Sequence, residues 1–411
     1  MNKKLVIIGG GAAGFFCAVN AATPWLDIVI VEKTNKLLSK VKVSGGRRCN
    51  VTHNCSSISE MIKNYPRGGN FLKKAFHHFF TTDTISWFEK RGVQLKTERD
   101  GRMFPVTDSS QTIIDALMRE VNEQGIKILM NKDVQQIRQD KGKFKVIFKD
   151  GNIDADFVCI ACGGFAKASQ FEWIRQLGHS VEIPVPSLFT FNITDDPIKN
   201  LMGISVEKAA VKIMSSKYSY QGPLLITHWG FSGPAVLKLS SFAARELAEK
   251  HYDFIIQINW LPDIHEQHLR EEFQKLRFRL SSQKIINRNP FNLPARLWEY
   301  LLIKSEINEN VRWADLPSKQ QNQLISNISA CRFHVKGKTT FKEEFVTSGG
   351  IQLSEIEVNT MESKIVKNLF FAGEIMNVDG ITGGFNFQHA WSSGWIAAMA
   401  IKKYLFENGT N

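Results

Sequence analysis

The pattern Gly9-Gly10-Gly11-Ala12-Ala13-Gly14 restricts what this chain can fold into more than any other feature. It follows Lys4-Leu5-Val6-Ile7-Ile8, a continuous apolar run that reads as a strand buried on both faces. Phe15 to Ala22 then reads as helix, and Asp27-Ile28-Val29-Ile30-Val31 as a second strand ending in Glu32. Strand, glycine turn, helix, strand, acid is the order of a βαβ unit that grips a dinucleotide. Gly9 permits the tight turn, Gly11 lets a pyrophosphate approach the backbone, and Gly14 lets helix and strand pack closely. Ala12 and Ala13 lie between those glycines, where a helix N-terminus offers free N–H groups and partial positive charge to an anion. Glu32, followed by Lys33, is placed to accept both ribose hydroxyls, and its charge disfavours a 2′-phosphate. The pocket therefore suits FAD or NAD and not NADP.

A second acid-ended strand stands near the other end of the chain, Asn368-Leu369-Phe370-Phe371-Ala372-Gly373-Glu374. Gly373 allows close approach, and Glu374 reads as a second sugar-binding carboxylate at a strand's C-terminal end. Thr382-Gly383-Gly384-Phe385-Asn386 then opens a helix running through Gln388 and Trp391 to Ala398. Its N-terminus is expected to aim N–H groups at the N1/C2=O edge of a flavin and to favour negative charge there by about 0.3–2 kcal/mol. Ala155 to Gly164 is another strand-then-glycine crossing, expected to touch the adenosine half through Ala161 and Gly163.

Bulk properties bound the rest. A chain of 411 residues, 43% hydrophobic and 22% charged, is large enough for two or three domains. No apolar run approaches the roughly 18–20 residues of a membrane helix. Lys3 and Lys4 before an apolar stretch imitate a signal peptide, but four glycines interrupt the run, so the chain is read as cytoplasmic. Six cysteines do not make a disulfide scaffold. Cys159 and Cys162 form C-x-x-C on a strand, not at a helix start, and read as core or turn residues. No metal site is expected. The net charge is +12, and from Lys33 to Arg102 fifteen lysines and arginines face five acids. That excess suits an anionic cofactor or substrate and keeps nucleic acid as a rival partner.

Ser39-Lys40-Val41-Lys42-Val43-Ser44-Gly45-Gly46-Arg47-Arg48-Cys49-Asn50-Val51-Thr52 closely resembles a stretch, K-x-x-x-S-G-x-G-R-C-N-x-T-N, of the BaiN-like, aminoacetone oxidase-type family of bacterial FAD-dependent oxidoreductases. Arg47 stands where that family usually has glycine, and His53 where it usually has asparagine. Arginine tolerates positive φ poorly, and His53 is expected to alter a contact near the flavin. The resemblance continues through Gly101-Arg102-Met103-Phe104-Pro105, Ala161-Cys162-Gly163-Gly164, Thr227-His228-Trp229-Gly230-Phe231-Ser232-Gly233-Pro234, Thr360-Met361-Glu362-Ser363-Lys364, and Asp379-Gly380-Ile381-Thr382-Gly383-Gly384-Phe385-Asn386-Phe387-Gln388. It implies an α/β fold: a discontinuous Rossmann-like FAD-binding domain of glutathione-reductase type, with an inserted β-barrel and a small helical insert. It also implies cofactor contacts at Lys40, Ser44 to Gly46, Arg48 to Asn50, the Val134 backbone, Asp379 and Gly380.

Val206 to Ile213 and Gly222 to Thr227 read as strands of that barrel, and Asp263 to Ala330 as helical. The expected boundaries are 1–188 plus 345–411 for the FAD domain, 189–261 plus 331–344 for the barrel, and 262–330 for the helices. No second G-x-G-x-x-G appears, so no dedicated nicotinamide domain is expected, although NADH or NADPH fits as a transient donor. A flavin carries the hydride chemistry, and the protein supplies position and electrostatics. Arg48, Cys49, His228 and His389 are the catalytic candidates, with Asn50, His53 and Asn386 also near the flavin edge by motif position. Cys49 pairs in principle with Cys55, and either histidine is a candidate general acid; the catalytic acid itself stays unassigned. The expected activity is FAD-dependent oxidoreduction of a small ketone, enone, amine or steroid-like molecule, without membrane or nucleic-acid partner, by a monomer or homodimer. The alternatives are an RNA- or tRNA-acting flavoprotein and a flavin-binding redox protein without turnover.

Overall fold

The computed structural model describes residues 2–339 and 346–408. The apolar run at the N-terminus forms β1 (Lys3–Ile8), buried from Leu5 onward, and the glycine pattern turns it into α1 (Ala12–Ala21). The chain continues through β2 (Leu26–Val31), α2 (Ser39–Arg47), α3 (Ser110–Glu123), β3 (Lys127–Leu129) and β4 (Phe157–Ile160). There follow β5 (Thr190–Ile193), β6 (Ser205–Ile213), β7 (Ser219–Thr227), β8 (Gly230–Ser232) and β9 (Asp253–Asn259). Three helices come next, α4 (Glu266–Arg279), α5 (Ala295–Lys304) and α6 (Ser318–Ser329), and then β10 (Cys331–Thr339). The return adds β11 (Leu369–Phe371) and the long α7 (Phe385–Asn408).

Two compact units result, residues 1–187 with 342–411, and residues 188–341. In the first, five strands form a sheet in the order β11-β4-β1-β2-β3. Every neighbouring pair is parallel, with Leu5 opposite Ile28, Val6 opposite Val158, and Ile160 opposite Phe371. Parallel strands need crossovers on their faces and so read as unbroken apolar runs. Their C-terminal ends fall on one edge, so Gly9, Glu32, Ala161 and Ala372 emerge side by side, where open α/β sheets bind ligands. Helix α7 packs along α1, with Phe16 against Trp391 (5.1 Å between ring centres). Gly394 makes the close crossing possible, since a Cβ there would lie 2.7 Å from the Ala13 carbonyl. The antiparallel strands Val181–Ser187 and Val346–Ile351 stand at the two points where the second unit is inserted.

In that second unit, β5-β8-β7-β6-β9-β10 close into a barrel. The barrel and the three helices share one apolar cluster that includes Phe231, Trp260, Phe273, Trp298 and Trp313. Among the described residues no helix is long and apolar enough to cross a membrane.

Candidate functional site

The glycine turn has the geometry its spacing predicts. Gly9 has φ +119°, and a Cβ there would meet the Ala161 carbonyl oxygen at 2.4 Å. A Cβ on Gly14 would strike the Gly9 carbonyl oxygen at 2.1 Å. On Gly11 it would meet nothing within 4 Å. Two of the glycines are therefore required by the fold itself, and the third borders open space. Helix α1 begins at that space with no side-chain cap on its free N–H groups. An uncapped helix start bordering open space fits a pyrophosphate. Glu32 is held alongside, with Oε2 accepting from the Gly10 N–H (2.9 Å) and Oε1 from the Thr34 N–H and hydroxyl (2.9 and 2.8 Å). Lys33 lies over the Phe165 ring, 5.6 Å from its centre. Val134 is buried at the start of the strand Val134–Asp140.

The motif after Lys40 folds as a contorted loop. Helix α2 loses helical geometry at Ser44, Gly45 and Gly46. Gly45, Gly46, Arg47 and Cys49 have φ of +56°, +69°, +67° and +62°. Arg47 thus keeps the left-handed backbone that suits glycine, at a cost of roughly 1–2 kcal/mol. Gly45 is required for space, because a Cβ would press on the Phe104 ring at 2.8 Å. From this loop, Asn50 accepts from the Gly384 N–H (2.9 Å) and donates to the Thr52 carbonyl (3.0 Å). His53 Nδ1 bonds the Gly383 carbonyl (3.0 Å), and its ring stacks on Phe385. The Thr52 hydroxyl donates to Gln388 (2.6 Å), and the Trp391 indole donates to the Val51 carbonyl (2.9 Å). Residues 50–53 and 383–391, more than 300 positions apart in sequence, are thereby laced together.

The returning strand delivers Glu374 to the same edge. Gly373 has φ +74°. Its N–H donates to the Ser393 hydroxyl (2.9 Å), and its carbonyl accepts from His389 Nε2 (3.1 Å). Glu374 accepts from the Thr347 N–H (2.9 Å) and pairs with the Lys40 ammonium. Gly163 and Gly164 pass close to that carboxylate. The buried Thr347 hydroxyl, which also borders Gly164, has no hydrogen-bond partner among the described residues. Asn386 spends its amide on Gly380, donating to the carbonyl and accepting from the N–H, both at 2.8 Å. Asp379 is fully buried and held by Arg67 and by the Ser187 hydroxyl (2.9 Å). Burial raises its carboxyl against the pull of Arg67. Both polar side chains therefore bond within the protein.

Four catalytic candidates change character. The Arg48 guanidinium pairs with Glu98 (2.5 Å) and Asp108 (3.6 Å) and lies 4.0 Å from the Phe104 ring centre, so its charge is already answered. Cys49 is fully buried, and burial pushes its thiol up to about 12, far from a reactive thiolate. His389 is buried, with its imidazole dragged down to about 4 by burial. At neutral pH it is uncharged and spends its one proton on Gly373, which removes it as a general acid. His228 is exposed on the turn between β7 and β8, in the second unit, with its ring against Trp229. Cys159 and Cys162 both have thiols raised, the first chiefly by Cys17 beside it and the second by burial to about 12. Tyr65, Arg67, Thr347 and Ser393 escaped sequence reasoning, because isolated polar residues carry no spacing signal.

Comparison with known proteins completes the picture. Residues 3–400 match the model of the HI0933-like protein Rossmann domain. The chain is 30% identical over 404 residues to the ribosomal RNA dihydrouridine synthase of Escherichia coli, covering 96% of this chain and 97% of that one. It is 27% identical over 413 residues to the 3-dehydro-bile acid delta(4,6)-reductase of Clostridium scindens, covering 97% and 98%. The fold is shared with 3-ketosteroid delta1-dehydrogenase from Sterolibacterium denitrificans, at TM-score 0.54 and 10% identity over 98% of this chain and 100% of that one. With a family model matched from residue 3 to 400 and full-length relatives that are reductases and synthases, this chain belongs to the HI0933-like Rossmann family and is an FAD-dependent oxidoreductase.

Proposed function

We propose that the protein saturates a carbon–carbon double bond conjugated to a carbonyl, and that its substrate is a uracil base in RNA. Two of the full-length relatives differ in substrate but share that reaction in their names, one making dihydrouridine and the other reducing a dienone. The observation that carries the choice between them is charge. A net +12 is out of proportion to the single carboxylate of a bile acid and suits a polyanion, whose phosphates reward every cation near them. The reaction class expected from sequence is kept, and of the substrates expected there the charge favours the alternative, a base presented on RNA, over a small steroid-like molecule.

In this reading Gly11 and the start of α1 seat the pyrophosphate, and Glu32 and Glu374 bind the two sugars. The loop from Ser44 to Asn50 and the turn from Asp379 to Asn386 border the isoalloxazine. A flavin held there and reduced by a nicotinamide donor would supply the hydride, with solvent giving the second hydrogen as a proton. The first N–H groups of α7 lack intrahelical acceptors and favour negative charge at the ring edge. Asn50 and His53 hold that turn from the opposite side through Gly384 and Gly383. Lys40 steadies Glu374.

The test is anaerobic. The yellow protein is titrated with NADH and NADPH, and bleaching of the flavin band identifies the donor. The reduced protein is then given ribosomal RNA and, separately, a panel of steroid dienones. A gain of two hydrogens on uridine, read by nucleoside mass spectrometry, is the expected result. Turnover of a dienone with RNA untouched would refute the RNA substrate.

A further inference from the structure

Between Phe273 and Trp298 the chain has six lysines and arginines (Lys275, Arg277, Arg279, Lys284, Arg288 and Arg296) and no aspartate or glutamate. In the midst of them, in the last turn of α4, Phe278 is 84% exposed, the most exposed large apolar side chain among the described residues. A phenylalanine so exposed forfeits roughly 1.5–3 kcal/mol of burial.

The surface around it is firmly built. Past α4 the chain runs antiparallel to residues 311–314, with Ile285 N–H to the Val311 carbonyl (3.0 Å) and Trp313 N–H to the Gln283 carbonyl (3.0 Å). This sets Arg312 opposite Lys284. Beneath, Trp298 donates to the Ile285 carbonyl (3.0 Å), and Phe273 stacks on Phe291 and packs on Trp313. Above, the cations are held mostly by neutral partners. Arg277 donates to the Ala314 carbonyl (3.0 Å), Lys284 to Asn310 (2.7 Å), and Arg288 to Gln283 (2.6 Å). Acids nearby include Glu272, 3.3 Å from Arg279 and 3.8 Å from Lys275, Glu309, next to the Asn310 that holds Lys284, and Asp315, three residues after Arg312. Arg277 and Arg279 also offset the negative end of the α4 macrodipole. That role does not extend to Lys284, Arg288 or Arg312, nor does it account for Phe278.

We infer that this face docks single-stranded RNA, with Phe278 as a platform on which a base stacks and the surrounding cations tracking the phosphates. Base–aromatic stacking tolerates any sequence, and an electropositive surface with an exposed ring is the arrangement that single strands use. A helix end with a braced return segment holds the ring and cations in fixed relation, so little order is lost on binding. The inference rests on RNA as substrate and adds a docking surface on the inserted unit.

Full-length, FAD-loaded protein is titrated into a labelled single-stranded oligouridylate, with fluorescence anisotropy as the readout. Phe278→Ser is expected to loosen binding about tenfold, and Phe278→Trp to preserve it. The pair Arg279→Ser with Arg288→Ser is expected to lower the slope of log Kd against log salt by about 1.4. Bleaching by the nicotinamide donor should be unchanged in all three, because these side chains are exposed and lie outside the flavin unit. If the parent protein reduces uridine in RNA while Phe278→Ser and the arginine pair bind like the parent, the docking face is wrong and the proposed function stands. If the parent protein fails to bind the oligomer even at low salt and leaves uridine unreduced, both fall. Displacement of the RNA by polyglutamate of equal charge would assign the face to an acidic protein and overturn the inference.

Discussion

Gly9, Gly11 and Gly14 sit in one six-residue motif, and each is glycine for a different reason. Gly9→Ala and Gly14→Ala drive a methyl into backbone at 2.4 and 2.1 Å, and both are expected to yield little folded protein. Gly11→Ala meets no protein atom within 4 Å, so its apo-protein should melt like the parent. Its flavin Kd should rise about ten- to a hundredfold, measured by flavin fluorescence on titration. Equal flavin affinity would show that the pyrophosphate lies elsewhere. His389 gives a second prediction at this scale. Its native imidazole is held near 4, whereas an unfolded one has the ordinary value of 6.5. The unfolded chain therefore takes up a proton that the native chain refuses, and stability falls as pH drops from about 6.5. The loss stops growing near 4, where the native ring protonates as well. Burial shifts His179 in the same direction. Urea midpoints across this range should fall less steeply for His389→Gln than for the parent.

At the scale of elements, the site depends on one loop gripping another. Residues 64–68 hold the segment 378–385 at several points. Ile381 N–H donates to the Asn64 carbonyl (2.9 Å), the Tyr65 hydroxyl to the Phe385 carbonyl (2.6 Å), and Arg67 to Asp379. A Cβ on Gly68 would already press on Val378 at 2.6 Å. Asp379 is wholly buried and Arg67 14% exposed, so removing the cation alone strands a carboxylate. Arg67→Met is expected to cost about 3–5 kcal/mol in denaturant unfolding, and a second change, Asp379→Asn, should restore much of it. If the double variant is no more stable than Arg67→Met, the pair is not the source of the loss.

For the whole molecule, the decisive fact is that the first unit is complete without the second. Its sheet takes β1 to β4 from the N-terminal part and β11 from the C-terminal part, and α7 covers α1. Ser187 and Val346, which flank the insertion within the first unit, are antiparallel neighbours. A two-residue turn such as Asn-Gly in place of 188–345 joins strands that already pair. The shortened chain is expected to fold and bind flavin, seen as a yellow monomer by gel filtration, whereas truncation before β11 should give insoluble protein. By the inference above, the shortened protein should also lose most of its affinity for single-stranded RNA.

The sequence alone determined the α/β class, the barrel, the flavin and the meeting of the two chain ends. Those features repeat in register along the chain: apolar runs of strand length, glycines at fixed offsets, an acid at a strand's end. Local periodicity and backbone sterics fix such patterns before any long-range contact forms. Which side chains remain chemically available was settled only by the tertiary structure. Burial silenced Cys49 and neutralised His389, ion pairing occupied Arg48, and Asn386 turned inward to Gly380. Tyr65, Arg67, Thr347 and Ser393 entered the site from positions that no motif marks. Desolvation and hydrogen-bond partnership depend on neighbours distant in sequence, and spacing along a chain does not carry that information.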